Sequence, residues 1–215
     1  MSIRRTLSLA ALALAGALPL TAQSGKAADE GRWLVRLRAL SLTPANQSDP
    51  IPSLRVPPDA ITVSSKVFPE VDVTYFLTPN FAAELVLTYP QRHDVELSGT
   101  KIGTFRHLPP TLLAQWHFLP TGTVRPYVGA GVNLTLISDV NLAVPNVGAL
   151  DLGSSSVGVA AQAGVDVRVA PKWFVNADAK YVTIGTDVTL RSSGAKVSAV
   201  GVNPFLLSLG LGYRF

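Results

Sequence analysis

The chain has no cysteine and one methionine among its 215 residues. Disulfide scaffolds and cysteine-ligated zinc or iron–sulfur centres are therefore excluded, as is a lipid anchor on a lipobox cysteine. Charged residues make up 15%, against roughly 25% in a soluble domain. No GxSxG elbow or HExxH zinc motif is present, and "YVGAGVN" lacks the lysine of a phosphate loop. Beyond the first residues no run reaches the 18 or so apolar residues of a spanning helix. What is present is 47% hydrophobic, with 17 glycines and 16 prolines. That is too apolar for a disordered chain.

The start of the chain reads as a signal peptide. Arg4 and Arg5 precede an apolar run from Leu7 to Leu18, and small and polar residues follow through Ala28. Cleavage after Ala27 puts Gly25 and Ala27 at the small-residue positions; Ala22 is a second candidate. The expected division is residues 1–27 as signal peptide and 28–215 as one barrel domain. Loss of Arg4, Arg5 and Lys26 lowers the formal charge from +4 to +1. The basic balance belongs to the leader, so no nucleic-acid partner is expected.

Eight segments of the mature chain alternate with period two, as strands with two unlike faces do. One face carries Trp33, Val35, Leu37 and Ala39; then Val71, Val73, Tyr75 and Leu77; then Phe81, Ala83, Leu85 and Leu87. It continues through Leu112–Phe118, Val128–Leu136, Val157–Val169, Trp173–Tyr181 and Phe205–Phe215 at every second residue. The gaps at 78–80, 119–124 and 170–172 are short; those at 44–66, 90–110, 137–156 and 183–203 are long. Short turns at one rim and long loops at the other mark an outer-membrane barrel. The fold expected is all-β: an eight-stranded antiparallel transmembrane barrel with four long extracellular loops.

The opposite face carries Arg36, Arg38, Arg168, Lys180 and Arg214 against Glu70, Asp72, Glu84, Asp166 and Asp178. Facing lipid, such charges would each cost about 2–4 kcal/mol near the midplane. Facing the lumen, they can pair across a narrow interior. Gly129, Gly131, Gly158, Gly164, Gly210 and Gly212 share that face and leave room for larger groups. Aromatic residues lie on the outward phase near strand ends, where girdles form.

These segments resemble the OmpW family of Gram-negative outer-membrane barrels, which includes the AlkL-type importers of hydrophobic compounds. The resemblance runs from Trp33 to Phe215 and is most specific in "FRHLPPTLLAQWHF" (105–118) and "RPYVGAGVN" (125–133), supported by "AAQAGVDVRVAPKWFVNADAKY" (160–181) and "SLGLGYRF" (208–215). It implies an outer-membrane location and passage of small hydrophobic molecules through a pocket open outward, closed below and leaving sideways through the wall. It also implies insertion by the barrel-assembly machinery, which would read the terminal Phe215, and lipid and lipopolysaccharide as surroundings. Some relatives serve as bacteriocin or phage receptors, so a surface-interaction barrel without transport is the alternative. No cofactor or metal is expected, and the oligomeric state is open.

The candidate lining of such a pocket is Ile61 and Val63 in the first long connection, Leu97 and Ile102 in the second, and Leu142, Val144, Val147, Leu150 and Leu152 in the third. For each, packing of loops on one another is the competing account. Pro109 and Pro110 lack N–H donors and should interrupt pairing at the start of the fourth strand, as a lateral opening requires. The family pattern places a tryptophan where this chain has Val157, which joins the candidate pathway for that reason.

Catalysis is not expected. Ser98 with His107 is the one conceivable nucleophile–base pair, and spacing alone gives it no geometry. His93, Asp94 and Glu96 form a weak metal-like cluster better read as solvated loop charges. His117 should make a structural hydrogen bond in the lumen, and Arg125 and Lys172 should wet the periplasmic rim.

Overall fold

The computed structural model describes residues 30–52 and 55–215; the expected signal peptide lies outside them. The strands in chain order are β1 (Trp33–Thr43), β2 (Gln47–Ser48), β3 (Ile61–Val63), β4 (Lys66–Phe76), β5 (Phe81–Leu87), β6 (Gln91–Leu97), β7 (Thr100–Leu108) and β8 (Thr111–His117). They continue as β9 (Val124–Val144), β10 (Gly148–Leu152), β11 (Ser155–Ala170), β12 (Trp173–Val182), β13 (Gly185–Leu190), β14 (Lys196–Gly201) and β15 (Phe205–Arg214).

Eight of them close a barrel in the order β1-β4-β5-β8-β9-β11-β12-β15, every neighbour antiparallel. Pairing of β1 with β15 seals it, and Trp33 and Phe215 exchange backbone hydrogen bonds of 3.1 and 2.9 Å. Closure gives each of the eight strands a neighbour on both sides, as hydrocarbon favours, since an unpaired backbone group there would be costly.

The outward phase is the apolar one: Leu207, Leu209 and Leu211 on β15 are each more than half exposed, while Leu206 and Ser208 on the alternate phase are buried. An arginine at Leu209 would put a charge against lipid midway along a strand. We expect Leu209→Arg to destabilise the barrel by about 2–4 kcal/mol, measured by urea unfolding in lipid vesicles.

The long connections differ from expectation. Three of the four are more than half strand, whereas the first, residues 44–66, holds only the short β2 and β3 and the start of β4. β9 alone has 21 residues, roughly 70 Å at about 3.4 Å each, against a hydrocarbon band of about 25 Å. β3, β6 and β7 pair in series onto the upper part of β9, and β10, β13, β14 and β2 continue from its other side. β2 and β3 are then linked by side chains: the Ser48 hydroxyl accepts from the Ile61 N–H at 3.3 Å, and Asn46 Oδ1 from the Val63 N–H at 2.8 Å. The barrel thus rises into an extension whose outer face carries Arg92, Asp94, Lys101 and Arg106. Exposed pairs such as Lys101–Asp94 and Arg106–Asp139 place that face in water.

Inward glycines make room for the lumen groups. A Cβ on Gly164 would lie 2.4 Å from the Tyr127 ring, and one on Gly210 2.7 Å from the Arg38 stem.

Candidate functional site

The lower lumen is filled by a charge network. Arg36, fully buried, grips Asp166 with both faces of its fork, Nε to Oδ1 at 3.0 Å and Nη2 to Oδ2 at 2.7 Å. Its Nη1 donates to Asp72 (2.8 Å), Thr74 (2.7 Å) and Glu84 (3.0 Å). Arg38 pairs with Glu70 at 2.7 Å and Asp72 at 2.9 Å, and Lys180 with Glu70 at 2.9 Å and Asp178 at 3.1 Å. Gln115 and Gln162 donate to Glu84, and the Tyr127 hydroxyl donates to Asp178. Strand alternation aims all these groups at one axis. With its members buried and bonded across the lumen, the network is a plug.

Two of the ten predicted network residues stand apart. Arg168 and Arg214 sit at the periplasmic end, paired with Glu30 at 2.9 and 3.4 Å. Arg125 joins them and is no rim residue: it is buried and holds Glu30 with two bonds of 2.6 and 2.8 Å. The period-two phase that turns Tyr127 inward reaches Arg125 as well; Glu30, just before β1, carries no such signal. The central plug therefore has three cations against five carboxylates, and the lower cluster three cations around Glu30.

Burial opposes ionisation of Glu30, but the Arg125 bonds and charge, with Arg214 and Arg168, outweigh it and hold the carboxyl below its ordinary 4.5. A depressed carboxyl stabilises the fold above its unfolded value, and that contribution fades as pH falls through the folded value. Glu30→Gln is expected to cost about 1–2 kcal/mol at pH 7. In unfolding experiments the gap between variant and wild type should close as pH drops below 4.5.

Above the plug the interior turns apolar. Leu40, Leu42, Phe68, Val86 and Leu113 begin a buried cluster that continues upward through Val95, Phe105, Ile137, Val188 and Val200. Of the predicted lining, Ile61, Val63, Leu142 and Leu150 are buried in it, with Ile102 and Leu152 beside them around a cavity of about 30 Å³. Leu97 and Val144 pack at its margin. Val147 lies in the turn between β9 and β10, half-buried, its N–H bonded to the Val144 carbonyl at 3.1 Å.

Val157 does not belong to this lining. It is 78% exposed on the outer face of β11, because Ser156 and Gly158 hold the inward phase around it. The largest gap in the prediction was Val95, Phe105, Val188 and Val200, which share the inward rows of strands read as loop.

Pro109 and Pro110 lie between β7 and β8. Pro110 keeps contact with β9, its carbonyl accepting from the Leu134 N–H at 3.0 Å. On the other side the β5–β8 ladder stops at Val86↔Thr111 and the β6–β7 ladder begins at Gln91↔His107. Residues 87–90 and 108–110 have no strand partners across that break. Thr88 and Pro109 line a second cavity of about 20 Å³, with Leu40, Leu42, Phe68 and Leu206.

Ser98 sits at the tip of the β6–β7 hairpin and His107 near the other end of β7, more than about 20 Å away at roughly 3.3 Å per residue. They form no nucleophile–base pair. His93 points inward and is buried, whereas Asp94 points outward to Lys101, so no metal-like cluster forms with Glu96. His117 bonds to Gln115 Oε1 at 3.2 Å.

A closed eight-stranded barrel with a charged plug, an apolar upper interior and a broken wall between them can be compared with known proteins. The OmpW family profile matches residues 29–215. The chain belongs to the OmpW family. Outer membrane protein W of Vibrio cholerae is 32% identical over 218 residues, covering 96% of this chain and 97% of that protein. Outer membrane protein AlkL of Ectopseudomonas oleovorans is 30% identical over 156 residues, 67% of this chain and 64% of AlkL. Among solved structures, the outer membrane protein OprG of Pseudomonas aeruginosa superposes with a TM-score of 0.72 at 26% identity, over 86% of this chain and 96% of OprG. This OmpW-family protein is an integral protein of the Gram-negative outer membrane.

Proposed function

We propose that the barrel is a passive facilitator for small hydrophobic molecules crossing the outer membrane. The observation that carries this is the order of environments along one axis. An apolar interior above the membrane ends on a buried charge plug, and the wall beside that junction lacks strand pairing between residues 87–90 and 108–110.

A nonpolar solute meets a polar saccharide layer before it reaches hydrocarbon. Apolar side chains raised above the membrane lower that barrier by removing solute surface from water, at about 25 cal/mol per Å². The plug denies it a route to the periplasm, because it would have to displace paired charges. The remaining way out is sideways, past Thr88 and Pro109 into lipid. The family resemblance supports the same reading. The two cavities are small, so passage proceeds by side chains parting around the solute.

The test is initial uptake of radiolabelled octane by cells with an intact outer membrane. Cells making the protein should take it up faster than cells without it, and Val63→Ser/Leu142→Ser/Leu150→Ser at equal surface amount should lose the gain. No gain with correctly inserted wild type would refute the reading for alkanes.

Pro109 allows a finer test. Pro110 is bonded to β9, and Pro109, whose carbonyl accepts from Asn133 Nδ2 at 3.2 Å, lines the cavity beside the break with Thr88. Pro109→Thr restores one donor there, worth about 0.5–1.5 kcal/mol. Octane uptake should slow about two- to tenfold by the corresponding Boltzmann factor, with unfolding no easier than in wild type.

A further inference from the structure

Three polar side chains interrupt the apolar interior of the extension. The inward residues descending β6 are Val95, His93 and Gln91; those on β7 are Phe105 and His107. Val95 and Phe105 line the upper cavity, and Thr88 and Pro109, further along the same two chain segments, line the lower one. Gln91, His93 and His107 therefore stand between the two cavities. All three are buried, and the imidazole rings lie 4.6 Å apart.

Among the described residues their hydrogen bonding is incomplete. The Ser64 carbonyl can only accept, so the 2.8 Å contact makes His93 Nδ1 the donor and leaves Nε2 of the neutral ring a bare acceptor. Gln91 Nε2 donates to the Tyr89 carbonyl at 3.0 Å, and among the described residues Gln91 Oε1 has no partner. Neither nitrogen of His107 has one. Burial, with the charges of His93 and Lys66, pushes His107 down to about 3, and burial also lowers His93 against the pull of Ser64. Both rings are neutral at pH 7, so the cluster offers three acceptors against two hydrogens, the His107 N–H and the second amide hydrogen of Gln91.

We infer that Gln91, His93 and His107 form a binding step for neutral hydrocarbons that carry a hydroxyl group, such as alkanols and phenols. The solute O–H donates to His93 Nε2 or Gln91 Oε1, and its oxygen accepts the His107 N–H. Water can make the same bonds, and a group that displaces it without reproducing them loses affinity. A bare alkane fails in that way, and a carboxylate brings acceptors to acceptors. This inference rests on the proposed route for the solute's access to the cluster and narrows the class of solute that route selects.

The experiment uses the mature barrel in lipid nanodiscs with ¹⁵N-labelled histidine, titrated with octan-1-ol, n-octane and octanoate. Octan-1-ol should shift the ring nitrogens of His93 and His107 and leave His117, bonded to Gln115, unmoved. Octane and octanoate should need at least tenfold higher concentration for any shift, and His107→Leu should weaken the His93 response to octan-1-ol tenfold. Octan-1-ol moving neither ring, or octane or octanoate moving them equally, would overturn the inference. The wild-type titration decides even where the variant fails to fold. Ring shifts together with absent octane and octanol uptake in cells would refute the proposed function and leave the binding site standing.

Discussion

Arg36→Met is expected to destabilise the barrel by about 3–5 kcal/mol, the range for removing one partner of a buried ion pair. Arg36 touches Asp72, Glu84 and Asp166 at once and is wholly buried. Its loss leaves three carboxylates facing Arg38 and Lys180 alone, with Glu70 and Asp178 already sharing those cations. Methionine keeps most of the volume, so the loss is electrostatic more than steric. Urea unfolding in vesicles measures the effect, and the control is Arg36→Met combined with Asp166→Asn and Glu84→Gln. That triple variant should recover part of the stability, because the charges stranded by the first change are removed with it. A single variant as stable as wild type would show that water or protons enter the lumen freely and that the plug is not sealed.

Leu142→Asp is expected to abolish facilitated octane uptake, at least tenfold, while the membrane barrel stays folded. Leu142 is buried at the point where β9 meets both Gly103 on β7 and Leu150 on β10. An ionised carboxylate there has no cation among the residues lining the upper cavity. Keeping it buried costs several kcal/mol, and the alternative is to admit water into the apolar interior. Either outcome removes the continuous apolar surface that a solute would follow, and 1.4 kcal/mol already amounts to a factor of ten. The site lies above the membrane, so heat-modified mobility of the barrel in gels should be unchanged. Leu142→Met keeps the surface apolar and should retain uptake.

The membrane barrel was legible because lipid enforces the period-two signal on one face while the plug enforces charge on the other. Leu207, Leu209 and Leu211 against Ser208, Gly210 and Gly212 is such a stretch. The extension was not legible as strand. Its segments are short, as in Ile61–Val63 and Gly148–Leu152, and turn-forming residues punctuate them. Asn46, Ser98 and Asn146 take positive φ between strands, Asp139 does so inside β9 where its pairing with β7 shifts register, and the chain around them reads as loop. Its outer face is also polar, so nothing there imposes the apolar row that marks a membrane strand.

The lumen charges were identified as a set, but their division into plug and Glu30 cluster was hidden. Which arginine meets which carboxylate depends on height along the barrel axis, set by register between strands distant in sequence, as between Arg36 and Asp166. The candidate residues on β9 and β10 rest on their apolarity alone, and of them Leu142 and Leu150 are buried. Val157 was misplaced on the strength of a family tryptophan, although its own alternation with Ser156 and Gly158 turns it to lipid.

The proposed facilitation consists in lowering a barrier made by the polar saccharide layer. The most direct measurement is the transfer rate of a fluorescent apolar probe into vesicles whose outer leaflet is either lipopolysaccharide or plain phospholipid, with and without the purified barrel. The account predicts faster transfer only where lipopolysaccharide is present, and no acceleration by Leu142→Asp. Equal rates with and without protein on the lipopolysaccharide vesicles would contradict it.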